Sequence, residues 1–504
     1  LDVAAGSKRI NSGYWLLFVL FYAIFANIPF WFANHVLRFF HDGWFCVEYA
    51  IVGVLALYLP RIVSAILLFV MITIDMICAV CETYFLTPVE CLTNLNSLDK
   101  TSGLRTLEIG LVFLFTFCLM LIAAMWPVKK MSQGERRKAL AALLLFIVGC
   151  ISVDAITLIR TKGFIPNPTK PSGGDATKLV SYHEIRLSRR TLVRLLTLAA
   201  SDRRLDQFER SLNASGAPIQ SASSLGLGYE KLAALSDDQE KPNIVLVLLE
   251  SWGLAADADL RTALVEPYTQ PALLAKYEEK TGTVPFYGPT VGGEGRELCG
   301  SRIGFKLMTM AAEDLHACLP NQLASKGYHT LSVHGLDGHM FKRSDWYPRA
   351  GFEEDVFRDD LEQENLPDCV GAFTGTCDAA IGDWIAHRLD MAKPKPDFVY
   401  WVTLNSHLPV PVPSPLQNGA SCAAITSLAG KASLCSWYQL VENVHRSVVK
   451  LALSKLARPT VFIIVGDHAP PFGEPDIRRG FSQAVVPYMV LLPRPNEKMT
   501  AANH

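Results

Sequence analysis

Two carboxylates, three histidines and one threonine carry the chemistry legible in this chain. Hydrophobic runs end on most of them: NIVLVLLE on Glu250, HTLSVH on His334, FVYWVTLNSH on His407, and VFIIVGDH on Asp467 and His468, while Thr290 sits in PTVGGE between the first two. Glu250, Asp467 and His468 offer carboxylate oxygens and an imidazole nitrogen, a hard-to-borderline donor set that suits Zn²⁺ or Mn²⁺. A threonine hydroxyl is a weak nucleophile, but beside a divalent cation it gives up its proton and attacks phosphorus or sulfur. Thr290 is the candidate, because Gly288, Gly292 and Gly293 around it allow a tight turn that brings backbone amides close to an anion. Any one of these groups alone reads equally well as the polar end of a strand. Their collection on the strand ends of one domain favours a site.

The elements that must position them follow from the same runs. Continuous β-branched and aromatic stretches predict strands buried on both faces of a mostly parallel sheet, and such sheets bind ligands beyond the carboxyl ends of their strands. Apolar residues recurring at three and four predict helices over 315–326, 378–392 and 436–457, so strand and helix alternate as in an α/β domain.

The front of the chain is different material. Apolar stretches at 14–34, 45–60, 61–85, 104–127 and 137–160 predict five membrane spans, the second of them short against the ~20 residues a hydrocarbon core requires. Lys8 and Arg9, Arg61, and the loop VKKMSQGERRK (128–138) fall on one side, which the positive-inside rule makes cytoplasmic. The C-terminal two-thirds then lies outside. The first span is too long for a cleavable signal peptide, and because the chain opens on Leu1 its native start is expected upstream. Glu48, Asp75, Glu108 and Asp154, with Arg105 and Arg160, fall in the outer third of their spans; they read either as side chains snorkelling to water or as a polar vestibule.

The domains expected are therefore a five-helix transmembrane domain (1–161), a juxtamembrane connector (162–240) and an α/β extracytoplasmic domain (241–504). Within the connector, GFIPNPTKPSGGD precludes one regular element, 177–212 predicts an amphipathic helix with Arg clusters, and SASSLGLG (221–228) reads as a flexible joint. Formal net charge is −1 and no basic stripe carries interleaved aromatics, so nucleic acid is not an expected partner. Six cysteines lie in the outer domain, an even number in a compartment where disulfides persist, and we expect sequential pairs: Cys299 with Cys318, Cys369 with Cys377, Cys422 with Cys435. The paired spacing favours a Gram-negative periplasm.

ESW at 250–252, TVGGE at 290–294 followed by LCG at 298–300, HG at 334–335 with Phe341 and Arg343, TLNSHLP at 403–409 and GDHAP at 466–470 together resemble the ordered motifs of the alkaline phosphatase/sulfatase superfamily. The membrane branch is the more similar: lipoteichoic acid synthases, phosphoglycerol transferases and phosphoethanolamine transferases. That resemblance implies five N-terminal spans in a bacterial inner membrane and a periplasmic catalytic domain, and covers nearly the whole chain. It implies Glu250, Thr290, Asp467 and His468 as metal ligands, Thr290 doubling as the nucleophile. His334, Arg343 and His407 are implied as groups that bind substrate phosphate or protonate the leaving group, and His407 alternatively as a ligand of a second metal.

No C/S-x-P-x-R motif appears at Thr290, so the resemblance does not extend to sulfate ester hydrolysis. TVGGEGRELCG and GDHAPP are closer to phosphoglycerol-transferring members, which implies a phospholipid donor and a cell-envelope glycan or glycolipid acceptor. A phosphoethanolamine transferase acting on lipid A, capsule or cellulose is the alternative, and a non-catalytic lipid sensor on the same scaffold is the alternative of another class. Glu294 and Glu297 read either as recognition groups for an ammonium or, preferably, as caps of the following helix.

Overall fold

The computed structural model describes residues 13–37, 39, 43–86, 90–91, 103–125, 131–161, 186–189, 220–227, 241–412, 422 and 425–494. The chain divides into two units, residues 1–206 with 472–476, and residues 207–471 with 477–504.

In the first unit every apolar stretch forms a helix: Tyr14–Ala23 with Ile28–Leu37, Val47–Ala56, Arg61–Thr83, Gly103–Met125 and Gln133–Thr161. Among the described residues three helical stretches are long and apolar enough to cross a membrane, Tyr14–His35, Arg61–Thr83 and Gln133–Ala155. Val47–Ala56, at 10 residues, reaches about 15 Å, half of a hydrocarbon core. Several buried polar groups inside this unit are paired. Asn27 donates to the Ala23 carbonyl and accepts from the Cys46 amide (3.1 and 2.8 Å), and the Tyr49 hydroxyl donates to Asp75 (2.9 Å). Asp75 is fully buried and Glu48 and Asp154 nearly so, which is not the arrangement of snorkelling side chains. The side chains of Arg105, Glu108 and Arg160 lie outside the described residues.

Two short strands complete the unit, β1 (Gly43–Cys46) and β2 (Arg186–Arg189), paired in parallel. The amphipathic pattern over 177–212 predicts a helix at residues 186–189. Their backbone instead completes the edge of β1, a tertiary pairing that overrides a weak local preference. The rest of that stretch lies outside the described residues.

The second unit is the expected α/β domain. Its strands are β3 (Asn243–Leu249), β4 (Tyr277–Pro285), β5 (His329–His334), β6 (Glu354–Val356), β7 (Asp368–Val370), β8 (Thr374–Thr376), β9 (Asp397–Val402), β10 (Thr460–Gly466) and β11 (Val485–Pro493). Seven of them form one sheet in the order β4-β11-β10-β3-β9-β5-β6, with β10, β3, β9, β5 and β6 parallel and β11 antiparallel to both of its neighbours. Every residue of β3, β9 and β10 is buried, as their unbroken apolar runs require. Asp378–Asp390 and Ala432–Leu453 supply two of the expected helices, and Leu319–Ser325 part of the third.

Register decides where the functional groups fall. Leu249 pairs with Gly466, Leu248 with Val402, and His334 with Val402, so four strands end level with one another. Whatever comes next in sequence after each strand is delivered to one edge. β7 and β8 form a separate hairpin. The three disulfides are the expected sequential pairs, Cys299–Cys318, Cys369–Cys377 and Cys422–Cys435.

SASSLGLG is not a joint. Ala222–Leu227 is a helix whose first turn is capped by Ser221, which accepts from the Ser224 amide (3.2 Å). The amides of Ala222 and Ser223 also donate to Glu297 (3.3 and 3.1 Å), a partner too far along the chain for local patterning to reveal.

Candidate active site

Glu250 is the first residue beyond β3, and its orientation is enforced by Ser251, a non-glycine residue at φ +60°. Such a conformation costs of order 1 kcal/mol or more and persists only where surroundings impose it. Here the Ser251 amide donates to Asp467 Oδ1 (2.7 Å) and its hydroxyl to Glu250 Oε1 (2.6 Å). The Glu250 amide donates to Thr403 Oγ1 (2.9 Å), and Ser406 Oγ donates to the Glu250 carbonyl (2.6 Å). The strand end is thus held from β10 and from the loop after β9 together.

Asp467 and His468 follow β10. Asp467 Oδ1 accepts the amides of Ser251 and His468, but Oδ2 is buried without a hydrogen bond. His468 Nδ1 contacts the Ala469 carbonyl at 2.9 Å, which assigns its proton to Nδ1 and leaves a lone pair on Nε2. Nε2 faces Asp467 Oδ2 at 3.3 Å and Glu250 Oε1 at 3.6 Å. A lone pair aimed at two carboxylate oxygens is repulsive unless a cation lies among them. The ligand atoms of Glu250, Asp467 and His468 all fall within 4.8 Å of one another, so the residues fit a divalent ion. Burial, with the charge of Glu250 added, pushes Asp467 up to about 7.

Thr290 Oγ1 donates to Glu250 Oε2 at 3.2 Å. It opens a helix, Thr290–Cys299, rather than lying within a turn. Three glycines in ten residues disfavour a helix, yet all three stand where this one presses on backbone. A Cβ on Gly292 would stand 1.7 Å from the Tyr287 carbonyl oxygen, and one on Gly293 would stand 3.1 Å from Asp467 Cα. The turn proper is made by Gly288, at φ +70°. The amino end of the helix presents Thr290 to the acidic cluster and its partial positive charge to an incoming anion.

Arg296, which the sequence did not single out, ties this helix to β10. It is fully buried, donating from Nη2 to the Gly466 carbonyl (2.7 Å) and from Nη1 to those of Pro285 and Asp467 (3.0 and 3.3 Å), with Nε on Glu297 (2.6 Å). Glu294 and Glu297 lie inside the helix and therefore cannot cap it. Glu294 accepts from Arg343 Nε and Nη2 (3.1 and 3.3 Å) and from the Tyr347 hydroxyl (2.5 Å).

The remaining candidates line the same edge. His334 Nδ1 contacts the Val402 carbonyl (2.9 Å), and burial with the nearby Arg343 charge pulls the ring down to about 3. His407 lies in the loop after β9, where burial and the charge of His468 pull it down to about 4. The ring of Phe373 packs edge-on against it at 4.8 Å. Arg343 opens the helix Arg343–Ala350, and two of its nitrogens are committed to Glu294. Besides Arg296, sequence reasoning missed Ser251, Thr403, Ser406 and Asp378. Three of these sit inside quoted motifs as short polar residues; Asp378 had no signal beyond its place at the start of a helix.

A family model for sulfatase matches residues 242–503. Among solved structures the chain is similar to the lipoteichoic acid synthase LtaP from Listeria monocytogenes, at 14% identity, TM-score 0.38, covering 54% of this chain and 72% of that one. It is also similar to the phosphoglycerol transferase GacH from Streptococcus pyogenes, solved with sn-glycerol-1-phosphate, at 16% identity, TM-score 0.33, covering 54% and 77%. A third is the C-terminal periplasmic domain of phosphoethanolamine transferase EptC from Campylobacter jejuni, at 10% identity, TM-score 0.30, covering 52% and 83%. No curated protein sequence matches. With the family model spanning more than half of the chain, from β3 past β11, this protein belongs to the sulfatase family.

Proposed function

We propose that this protein is a metal-dependent transferase that moves a phospholipid headgroup phosphate, phosphoglycerol in preference, to a cell-envelope glycan through a phosphothreonine at Thr290. The observation that carries this reading is the Thr290 hydroxyl, 3.2 Å from Glu250 at the head of a helix and beside Asp467 and His468. Glu250, Thr290, Asp467 and His468 would hold Zn or Mn, which when bound lowers the pKa of a neighbouring hydroxyl and neutralises charge on the transferring group.

Thr290 Oγ1, its proton already directed at Glu250, attacks phosphorus, and the bond from phosphorus to the diacylglycerol oxygen breaks. His407 is held neutral by burial in the free protein; an anionic substrate raises its affinity for a proton, which it then delivers to the departing oxygen. His334, with Nδ1–H engaged by Val402, presents an unprotonated Nε2 to an acceptor hydroxyl. In the second half that hydroxyl attacks the phosphothreonine, and Thr290 regains its proton as the phosphorus bond breaks. Arg343, oriented by Glu294, contributes its remaining donors to phosphate oxygens.

Phosphoglycerol is preferred to phosphoethanolamine because both candidate acids for an ammonium are engaged: Glu294 by Arg343 and Tyr347, Glu297 by Arg296 and the helix Ala222–Leu227. A degenerate sensor would have no reason to retain the hydroxyl and the complete acid and histidine set. The five apolar segments, the lysine and arginine asymmetry and three disulfides support a five-span anchor in the inner membrane with this domain in the periplasm. Mass spectrometry of the Thr290 peptide after incubation with mixed phospholipids tests the reading. A phosphoglycerol adduct is expected, an ethanolamine adduct would reassign the donor, and no adduct with any phospholipid would overturn covalent transfer.

A further inference from the structure

Asp378 is fully buried at the first position of the helix Asp378–Asp390, yet its oxygens serve another segment. The Leu404 amide lies 3.1 Å from both Oδ1 and Oδ2, and the Asn405 amide donates to Oδ2 at 2.7 Å. Asn405 Oδ1 accepts in return from the Asp378 amide at 2.8 Å. The turn 403–407 is clamped in both directions. That turn holds Glu250 through Thr403 and Ser406, and it closes on His407, whose amide donates to the Leu404 carbonyl at 3.0 Å.

The segment just before Asp378 completes the brace. Cys377 is bridged to Cys369 across the β7–β8 hairpin, the Thr376 amide donates to the carbonyl of Gly335 next to His334 (2.8 Å), and Phe373 at the hairpin tip packs on the His407 ring. His407 is thereby set from two sides, its backbone by the Asp378 clamp and its ring by Phe373.

We propose that Asp378 is a positioning residue that fixes His407, through the turn 403–407, in the orientation its proton transfer requires. It touches no reacting atom. The role in transfer rests on the function proposed above, whereas the positioning itself is measurable without turnover. Asp378→Asn keeps the shape and can leave its oxygen with both amides at the Oδ2 position, but it sets an N–H₂ in place of Oδ1 against the Leu404 amide, which pushes that end of the turn away.

The test uses the full chain in detergent with three readouts: release of diacylglycerol from phosphatidylglycerol, bound metal, and the rate at which diethyl pyrocarbonate modifies His407, read on its peptide by mass spectrometry. Asp378→Asn is expected to raise the His407 modification rate several-fold and to lower kcat about tenfold or more while KM stays within about twofold, as displacement of a reacting group does. Most of the bound metal should be retained, because Asp467 and His468 are held from β10 and only Glu250 leans on the turn. A His407 rate equal to wild type overturns the proposal whatever happens to activity, as does loss of metal in place of a change at His407. If wild type releases no diacylglycerol, the proposed function fails, and the His407 rate still decides the positioning. Asn405→Ala removes only the return bond and carries the same decision should Asp378→Asn not fold, with a rise of about twofold expected and no rise refuting it.

Discussion

Replacing Glu294 by glutamine would strand the Arg343 guanidinium in the protein interior. Glu294 is fully buried and Arg343 is 2% exposed. Burial works against the guanidinium charge, and Glu294 more than offsets it, holding Arg343 above its ordinary pKa. Removing one partner of a buried pair costs ~3–5 kcal/mol, because the other charge stays desolvated. Glutamine retains a carbonyl oxygen that, at the Oε1 position, accepts from both Tyr347 and Arg343 Nε, so the lower end applies, ~3 kcal/mol. For a domain of this size each kcal/mol moves Tm by ~2–4 °C, which places the expected fall at about 6–12 °C. Thermal melts in detergent followed by tryptophan fluorescence report on the right region, since buried Trp346 lies edge-on to Tyr347 at 4.5 Å. Arg343→Met leaves the opposite charge stranded and should cost a similar amount. The double variant buries no charge, so its loss should fall short of the sum of the singles by at least ~2 kcal/mol. A Glu294→Gln protein that melts within about 2 °C of wild type, or strict additivity in the cycle, would refute the account of this pair.

Thr290→Ala should abolish transfer and leave the fold intact; substantial turnover, measured with radiolabelled phospholipid, would remove Thr290 as the nucleophile. Metal affinity should fall about tenfold for each pH unit below 7 and level off above it, because Asp467, raised to about 7 in the free protein, must shed its proton to ligate. Competition with a chromophoric chelator between pH 5.5 and 8 checks this, and an affinity flat across the acidic half would contradict it. Thiol labelling of denatured, unreduced protein should spare Cys299, Cys318, Cys369, Cys377, Cys422 and Cys435 and modify cysteines of the first unit. Each bridge is worth ~2–4 kcal/mol, so labelling at any outer pair would also predict a lower Tm.

The convergence of Glu250, Asp467, His468, His334 and His407 on one edge was legible because each ends a long apolar run, and parallel strands in register deliver their next residues together. The local state of Thr290 was not. Its glycines argue for a turn, and only the closeness of Tyr287 and Asp467 explains why a helix is built from them. Glu294 and Glu297 read as caps in the sequence because their partners, 49 and 75 positions away at Arg343 and Ala222, leave no local trace. Asp378 escapes notice for the same reason. Short polar side chains that brace a site through backbone amides have no periodicity to betray them.

The grip of Glu297 on the helix Ala222–Leu227 bears on where this domain can be cut. The family match begins at residue 242, and a fragment started there would discard both amides that Glu297 accepts. Glu297 would then lose two donors and the cover over them, leaving Arg296, which holds the end of β10 beside Asp467, as its remaining partner. A soluble version of the domain must therefore start ahead of Ser221, so that the helix Ala222–Leu227, outside the recognised family region, travels with the catalytic fold as part of it.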